Sequence, residues 1–280
     1  MKKKRPILER FFGKNDRIPI SIHYHTGKYT IPSSLTYHRE GEIHFFRRGS
    51  GSYFIEGRNY AFKRYSVIII RPGDIHNFVP IPDIHVERIS LQYSLAFLKN
   101  DRRLLTFSSE YPPSIRLEDR QATRLEMLIK QIGEELDNNF PDKTAMLAWK
   151  LKEFLCLIKR YSMDSANQPD VSNPIAEQLI AYIEDNFTDK ISLPLLAEKF
   201  GYSGDYLSML SKELTGLSVK QYILSRRILE ARRLLERQSM LTIAAIAQKV
   251  GYDNLALFNR AFKIHAGYTP GQYRRTITGK

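Results

Sequence analysis

The chain predicts a two-domain α+β architecture. An N-terminal β-barrel backed by a helix pair precedes an all-α C-terminal domain that carries a tandem helix-turn-helix. Three observations lead there. Between Tyr37 and about Ser94, short β-branched and aromatic runs are separated by turn residues at intervals of roughly eight to twelve positions. From Glu118 onward, two apolar stripes recur at helical spacing and are split by Pro141. Between Ile191 and Arg275, one pattern is written twice. A chain of 280 residues is long enough for two separate cores, and a hydrophobic fraction of 42% fits a soluble globular protein.

Residues 1–30 are mixed and read as a lead-in strand and arm. Ile43-His-Phe-Phe is an apolar run, turned by Gly49-Ser-Gly51, and Ser52-Tyr-Phe-Ile-Glu-Gly57 and Tyr60-Ala-Phe continue the series. Val67-Ile-Ile-Ile70 is a short buried strand turned by Arg71-Pro-Gly-Asp74, and Val86-Glu-Arg-Ile-Ser-Leu91 closes the set. Such a succession belongs to a sandwich or barrel, and a small barrel encloses one small ligand. Leu125, Leu128, Ile129, Ile132 and Leu136 then form the first helical stripe, and Met146, Leu147, Leu151, Phe154, Leu155 and Ile158 the second. Cys156, the single cysteine, lies in the second helix; it excludes an intramolecular disulfide and reads as an inert buried thiol. Met163 to Pro174 is polar, has two prolines and lacks periodicity, as a linker does. The predicted limits are residues 1–162 for the first domain, 163–174 for the linker and 175–280 for the second domain.

Ile175 to Asn186 reads as a helix burying Ile175, Leu179, Ile180 and Ile183. The repeat follows. Its first copy runs from Ser192 through Ala197 to Gly201-Tyr202-Ser203, then through Leu207 and Lys212 to Gly216. The second runs from Thr242 through Ala247 to Gly251-Tyr252-Asp253, then through Phe258 and Lys263 to Gly267. The copies match at an offset of 50 up to the Gly-Tyr pair and 51 beyond it, so the turn or the helix start differs by one residue. Ser192 and Thr242 suit helix N-caps, the alanines permit a close helix crossing, and Gly201 and Gly251 supply a left-handed turn. Ser203 and Asp253 are the expected caps of the second helices, with Leu207 and Phe258 pinning them to the core. Ser211, where the second copy has Phe262, predicts a looser first unit. Val219 to Arg237 is the connecting helix, with Arg226, Arg227, Arg232 and Arg233 either reaching phosphates or forming a solvated face.

The tail Val250-Gly-Tyr-Asp-Asn-Leu-Ala-Leu-Phe258-Asn-Arg260-Ala-Phe262-Lys263, with Gly267-Tyr-Thr-Pro270-Gly-Gln-Tyr273-Arg274, resembles the signature of AraC-type transcription regulators. The resemblance spans about residues 175–277. It implies two helix-turn-helix units joined by a long helix and reading adjacent major-groove segments of double-stranded DNA. By that resemblance the DNA-facing positions are Ser203, Gly204, Asp205, Ser208, Met209 and Lys212 in the first unit. In the second they are Asn254, Leu255, Ala256, Asn259, Arg260 and Lys263. Asn259 suits adenine and Arg260 suits guanine or a phosphate, whereas the two lysines, later on their helices, suit the backbone.

Two N-terminal pieces resemble the cupin barrel, the ligand-sensing half of many such regulators. His38-Arg-Glu-Gly-Glu42-Ile-His44 with Gly49 and Gly51 is similar to the first cupin motif, and Pro72-Gly73-Asp-Ile-His76-Asn77 to the second. Metal-bearing cupins join two histidines and a glutamate of the first motif to a histidine of the second. Here His38, Glu42 and His76 match, and Thr36 stands at the other histidine position. Three ligands can still hold a metal, but sensor barrels commonly lack one and use the same mouth for a small molecule. Neither metal nor cofactor is therefore expected. Tyr37, His38, Arg39, Glu42, His76 and Tyr93 are the expected effector-binding residues, with His44 and His85 as ordinary strand or loop residues.

The net charge of +13 favours a polyanionic partner, yet residues 171–280 hold only 15 Lys/Arg against 10 Asp/Glu, so the motif rather than the charge singles out that half. The basic start Met1-Lys-Lys-Lys-Arg-Pro is not followed by an apolar run that could serve as a signal peptide, and no segment approaches a membrane span, so a cytoplasmic protein is expected. The expected function is a ligand-responsive, sequence-specific transcription regulator, an activator of carbohydrate-utilisation genes, and not an enzyme. Its expected partners are double-stranded DNA, a small effector such as a sugar, a second copy of the chain through the helix pair, and RNA polymerase if it activates. Two alternatives stand beside it: a metal-dependent cupin isomerase or oxygenase fused to a DNA-binding tail, and a constitutive DNA-binding dimer with no effector.

Overall fold

The computed structural model describes residues 20–98, 112–164, 173–237 and 240–278. It divides into two compact units, one built on the β-rich half and the other on the C-terminal helices, to which residues 32–37 also belong.

In the first unit, eight short strands form two antiparallel sheets. They are β1 (Ile20–Lys28), β2 (Gly41–Arg48), β3 (Gly51–Ile55), β4 (Arg58–Phe62), β5 (Ser66–Ile70), β6 (His76–Pro80), β7 (His85–Tyr93) and β8 (Ser114–Arg116). The five-stranded sheet has the order β1-β7-β2-β5-β8, and the three-stranded sheet β4-β3-β6. Strand β2 is buried along both faces up to Phe46, and alternation sorts its residues. Ile43 and Phe45 join an apolar cluster with the two helices α1 (Asp119–Asp137) and α2 (Lys143–Asp164). Phe46 instead belongs to a cluster with Tyr53, Phe62 and Phe78 of the smaller sheet. The five-stranded sheet therefore has two covered faces: one packed on helices, the other on the second sheet. β8 carries no sequence signal, being three residues long; it pairs with β5, its Ser114 hydroxyl donates to Ala61 O of β4 at 3.3 Å, and its Ile115 is buried in the core.

Helix α1 starts at a capping box in which Glu118 and Gln121 bond each other's backbone N–H groups. Its stripe of Leu125, Leu128, Ile129 and Ile132 packs on Leu147, Leu151, Phe154, Leu155 and Ile158 of α2. Cys156 corrects the expectation of a buried thiol: it is exposed, on the opposite edge of α2 from that stripe. Its exposed neighbours at helical spacing are Ala145, Trp149, Glu153, Arg160 and Met163. Of the predicted linker, residues 165–172 lie outside the described residues, as does most of the predicted N-terminal arm.

The second unit comprises α3 (Pro174–Asn186), α4 (Leu193–Phe200), α5 (Gly204–Thr215), α6 (Val219–Arg237), α7 (Ile243–Lys249), α8 (Leu255–Ala266) and α9 (Pro270–Thr278). Asn173 caps α3, whose Leu179, Ile180 and Ile183 are buried where it packs on α5. The second half has its own core of Ile228, Ala231 and Leu235 from α6 with Ile246, Ala247, Phe258, Phe262 and Tyr273. No helix among the described residues is long and apolar enough to cross a membrane.

Candidate functional site

The repeat folds as two helix-turn-helix units: α4 with α5, and α7 with α8. Ser192 and Thr242 cap the first helix of each unit, their hydroxyls accepting from Leu195 N at 3.4 Å and Ala245 N at 3.1 Å. Ser203 caps α5 as expected. In the second unit the cap is Asn254 and not Asp253; its Oδ1 accepts from both Ala256 N and Leu257 N. Asp253 instead pairs with Lys190 at 2.9 Å on the surface. The one-residue change of offset is thus located: the second turn is a residue longer, and Asn254 takes the place of Ser203.

Helices α5 and α8 each span 12 residues, about 18 Å at the α-helical rise. Each buries one side, Leu207, Leu210 and Leu214 on α5 and Phe258, Phe262 and Ala266 on α8. The other side of α5 presents Asp205, Met209 and Lys212 to solvent, with Gly204 and Ser208 half-buried. On α8, Leu255, Ala256, Arg260 and Lys263 are exposed and Asn259 is half-buried. All the predicted positions of each unit therefore share one open face or its N-terminal cap. The faces differ in charge: Asp205 offsets Lys212 on α5, whereas Arg260 and Lys263 stand unopposed by acids on α8. Leu257 and Ile264, 60% and 69% exposed, extend the open side of α8; they fall outside the core register, and sequence reasoning passed over them.

Two expectations for this unit change. Ser211 does not loosen the first half. It is fully buried, its hydroxyl donates to Leu217 O at 2.7 Å, and Thr215 Oγ1 donates to Ser211 O at 2.7 Å. A satisfied polar knot replaces the ring of Phe262. The four connector arginines are internal fasteners and not a solvated row. Arg226 Nε donates to both oxygens of Glu184, which also accepts from the Tyr222 hydroxyl. Arg227 donates to the carbonyls of Phe187 and Asp189. Arg232 donates to Tyr273, and the guanidinium groups of Arg232 and Arg233 lie 6.0 and 4.6 Å from the ring centroid of Tyr37.

The N-terminal unit holds a second candidate site on the inner face of the five-stranded sheet. Pairing register aligns two rungs across β1, β7 and β2: Ser21, Gln92 and Glu42, then His23, Ser90 and His44. Directly opposed residues share a face, so this buried surface is polar. Glu42 is its centre. Its Oε2 lies 3.0 Å from His38 Nε2, 3.4 Å from His44 Nε2 and 3.7 Å from His76 Nε2, while its Oε1 accepts from Gln92 Nε2 at 3.0 Å. Burial pushes the Glu42 carboxyl up, but the adjacent His44 and His38 more than offset this and hold it well below the usual carboxylate range. Burial likewise opposes a charge on His38, yet its hydrogen bond to Glu42 raises it overall. His76 is pushed down to about 3, by burial first and the neighbouring His38 second. Ser21 Oγ, His23 Nε2 and Gln92 Oε1 are buried without a hydrogen-bond partner among the described residues. Such orphaned groups in a core mark a place for bound water or ligand.

Of the six expected effector residues, His38, Glu42 and His76 converge here. Tyr93 does not: it is one position out of register, on the outer face with Ile43 and Leu91, where its ring fills the space beside Gly41. Gln92 faces the site in its place. Tyr37 groups with the helical unit beneath Arg233, and Arg39 is exposed. His44, read as an ordinary strand residue, belongs to the site. Its signal was its place two residues after Glu42, on the same face of one strand.

A polar, buried sensor-like site in a β-sandwich and a tandem helix-turn-helix in one chain define an effector-binding transcription regulator. The comparisons agree. The model of the AraC-like ligand binding domain family matches residues 21–147, and a helix-turn-helix domain model matches residues 196–276. The chain belongs to the AraC-type family of DNA-binding transcription regulators. It is similar to the HTH-type transcriptional activator RhaS of Escherichia coli (strain SE11), 24% identical over 87% of this chain and 88% of the relative. Among solved structures it is similar to ToxT of Vibrio cholerae, 15% identical with a TM-score of 0.38, over 93% of this chain and 100% of that one. It is also similar to the C-terminal domain of AraT, a response regulator from Geobacillus stearothermophilus, 35% identical with a TM-score of 0.37, over 38% of this chain and 88% of that one.

Proposed function

We propose that this regulator is an effector-responsive activator of carbohydrate-utilisation genes that acts as a dimer in the cytoplasm. The observation that carries the effector reading is the buried polar face of the five-stranded sheet. Its two rungs set Ser21, His23, Glu42 and Gln92 side by side, and three of these have buried atoms with no partner. Hydroxyl-rich molecules match such a row of alternating donors and acceptors. The likeness to a relative named as a transcriptional activator supports activation, and with it contact with RNA polymerase. On the DNA side, the open faces of α5 and α8 supply the expected contacts: Ser203, Gly204, Asp205, Ser208, Met209 and Lys212, and Asn254, Leu255, Ala256, Asn259, Arg260 and Lys263. Arg260 and Asn259 read base edges, while Lys212 and Lys263 hold phosphates. Effector binding shifts the population of the dimer able to occupy paired half-sites. The domain limits of 1–162, 163–174 and 175–280 go with this reading, with residues 32–37 as the exception.

The test is a thermal-shift panel of sugars, sugar acids and small aromatic acids on the full chain, followed by DNA-binding titrations on a selected operator. A ligand at a hundred times its Kd should stabilise by about 2.7 kcal/mol and change operator affinity. A panel without any shift, together with effector-independent operator binding, would leave a constitutive DNA-binding dimer.

A further inference from the structure

We infer that Arg88 is an anion subsite at the mouth of the effector site, and that the effector is a small polyhydroxy carboxylic acid and not a neutral sugar. The inference rests on the effector reading above and narrows it to one class of molecule.

The pairing register continues past the two polar rungs. A third rung on the same face sets His25 of β1 and Phe46 of β2 on either side of Arg88 of β7. Burial falls across the sheet toward its β1 edge. Glu42, His44 and Phe46 on β2 are closed off, whereas Arg88 and the β1 residues Ser21, His23 and His25 are half-buried. The inner face is therefore reached from the β1 side, and Arg88 stands at that opening.

Arg88 is fastened there without a counter-charge. Its Nη1 donates to the Tyr53 hydroxyl at 2.6 Å, and its guanidinium carbon lies 4.9 Å from the ring centroid of Phe78 and 5.8 Å from that of Tyr29. Its Nε–H is buried and has no acceptor. Among the described residues no carboxylate pairs with it. Glu87, its chain neighbour, faces the other side of the sheet and lies 3.9 Å from His85. Glu42, the acid of this face, is four positions away in the register, about 13 Å of strand, and is already held by His38 and Gln92. Across the rung His25 is pushed down to about 4, by burial first and by Arg88 second, so Arg88 is the cation at this end of the face at neutral pH. A cation withdrawn from water without a partner is costly. A bound carboxylate supplies the missing charge and accepts from Nε and Nη2 together, the fork that guanidinium groups offer to planar anions.

The rest of the face specifies the rest of the molecule. His23 Nε2 and Ser21 Oγ, both orphaned, follow one and two rungs beyond Arg88 on β1. A hydroxyl group both donates and accepts, so it satisfies either atom. A neutral sugar leaves the guanidinium unpaired, and a fatty or aromatic acid leaves Ser21 and His23 unpaired. A sugar acid serves both ends.

The test is a thermal-shift and calorimetric titration of the full chain with matched probes: galacturonate against galactose, and gluconate against glucose. At least one acid should bind and raise the midpoint while its neutral partner does neither. Arg88→Gln should weaken that acid by about tenfold to a hundredfold, and Arg88→Lys, which keeps the charge but not the fork, by less. Without ligand, Arg88→Gln should unfold no earlier than the parent, because no acid partner is lost; a lower midpoint would make Arg88 a structural fastener and overturn the subsite. Arg88→Lys carries the test where the glutamine variant does not fold. Neutral sugars binding equally to parent and Arg88 variants would overturn the acid class and leave the sugar-sensor reading intact. Silence from all four probes would overturn the acid class as well. Operator affinity on the same samples reports on the regulator reading separately: Arg88-dependent acid binding with unchanged DNA binding would support the subsite and sink the responsive mechanism.

Discussion

Gly251 shows how a single atom decides a fold. Its φ is 84°, and an added Cβ would stand 2.3 Å from the carbonyl oxygen of Thr188 and 3.1 Å from the guanidinium carbon of Arg227. Gly201, its counterpart in the first repeat, has φ 72° with nothing within 4 Å of the same position. Both substitutions to alanine incur the left-handed backbone cost of about 1–2 kcal/mol, but only Gly251→Ala adds a clash with main chain. Thermal unfolding should therefore show a distinctly larger loss for Gly251→Ala; equal losses would mean that the α3–α4 loop yields freely. The neighbouring cap makes a second prediction. Asn254→Ala should cost about 1 kcal/mol of stability, and Asp253→Ala should be near neutral because its ion pair is with the exposed Lys190. The repeat alignment had pointed to Asp253. Both residues are good caps by type, and only the longer turn chooses between them.

Single helices carry the functional expectations. On α8, Arg260→Ala should weaken specific DNA binding by about 1–3 kcal/mol, whereas on α5 Lys212→Ala should lower the salt slope by about one with sequence preference unchanged. Operator titrations at several salt concentrations separate these outcomes; an altered preference for the lysine variant would make Lys212 a base reader. On α2 the exposed stripe of Trp149, Glu153, Cys156, Arg160 and Met163 is the proposed dimer face. Antiparallel packing of two such helices brings Glu153 opposite Arg160 and the two cysteines near the axis. Bismaleimide treatment should then yield a crosslinked dimer through Cys156, and Trp149→Glu should abolish it and give a monomer by light scattering. A monomeric parent protein would remove α2 from the interface. The helical periods of α1, α2 and α6 could be read from apolar spacing because helix faces repeat whatever they pack against. Strand β2 could not be read in the same way: Ile43-His-Phe-Phe reads as one apolar run with His44 an ordinary strand residue, and nothing in it says that both faces are covered.

At the scale of the whole chain, the proposed mechanism requires that two DNA-binding units act together. A fragment lacking residues 1–170 should bind a paired operator more weakly than the full chain, because linked binding raises effective concentration. Since Tyr37 lies under Arg232 and Arg233, the full-length Tyr37→Ala variant is the control that separates loss of this ring contact from loss of dimerisation. Equal affinity of fragment and full chain would reject the dimer mechanism. The arginines of α6 also explain why net charge was a poor guide to the interface. Arg226 and Arg227 are occupied by Glu184 and by backbone carbonyls, so several positive charges of the helical unit hold its own helices together.

The amino-acid sequence determined the order of the two units, the repeated helix-turn-helix and the open positions of α5 and α8. Those features rest on local rules: caps, left-handed glycines and the helical period act within a few residues. It also identified His38, Glu42 and His76, because they sit in recognisable short motifs. Tertiary structure alone decided that His44 and Gln92 join them and that Tyr93, Tyr37 and Arg39 do not. Membership of that site depends on strand register, where a shift of one residue exchanges the inner face for the outer, and on a second sheet that turns a polar strand face into a buried one. Neither the register nor the covering sheet is encoded in the strand that carries the residues.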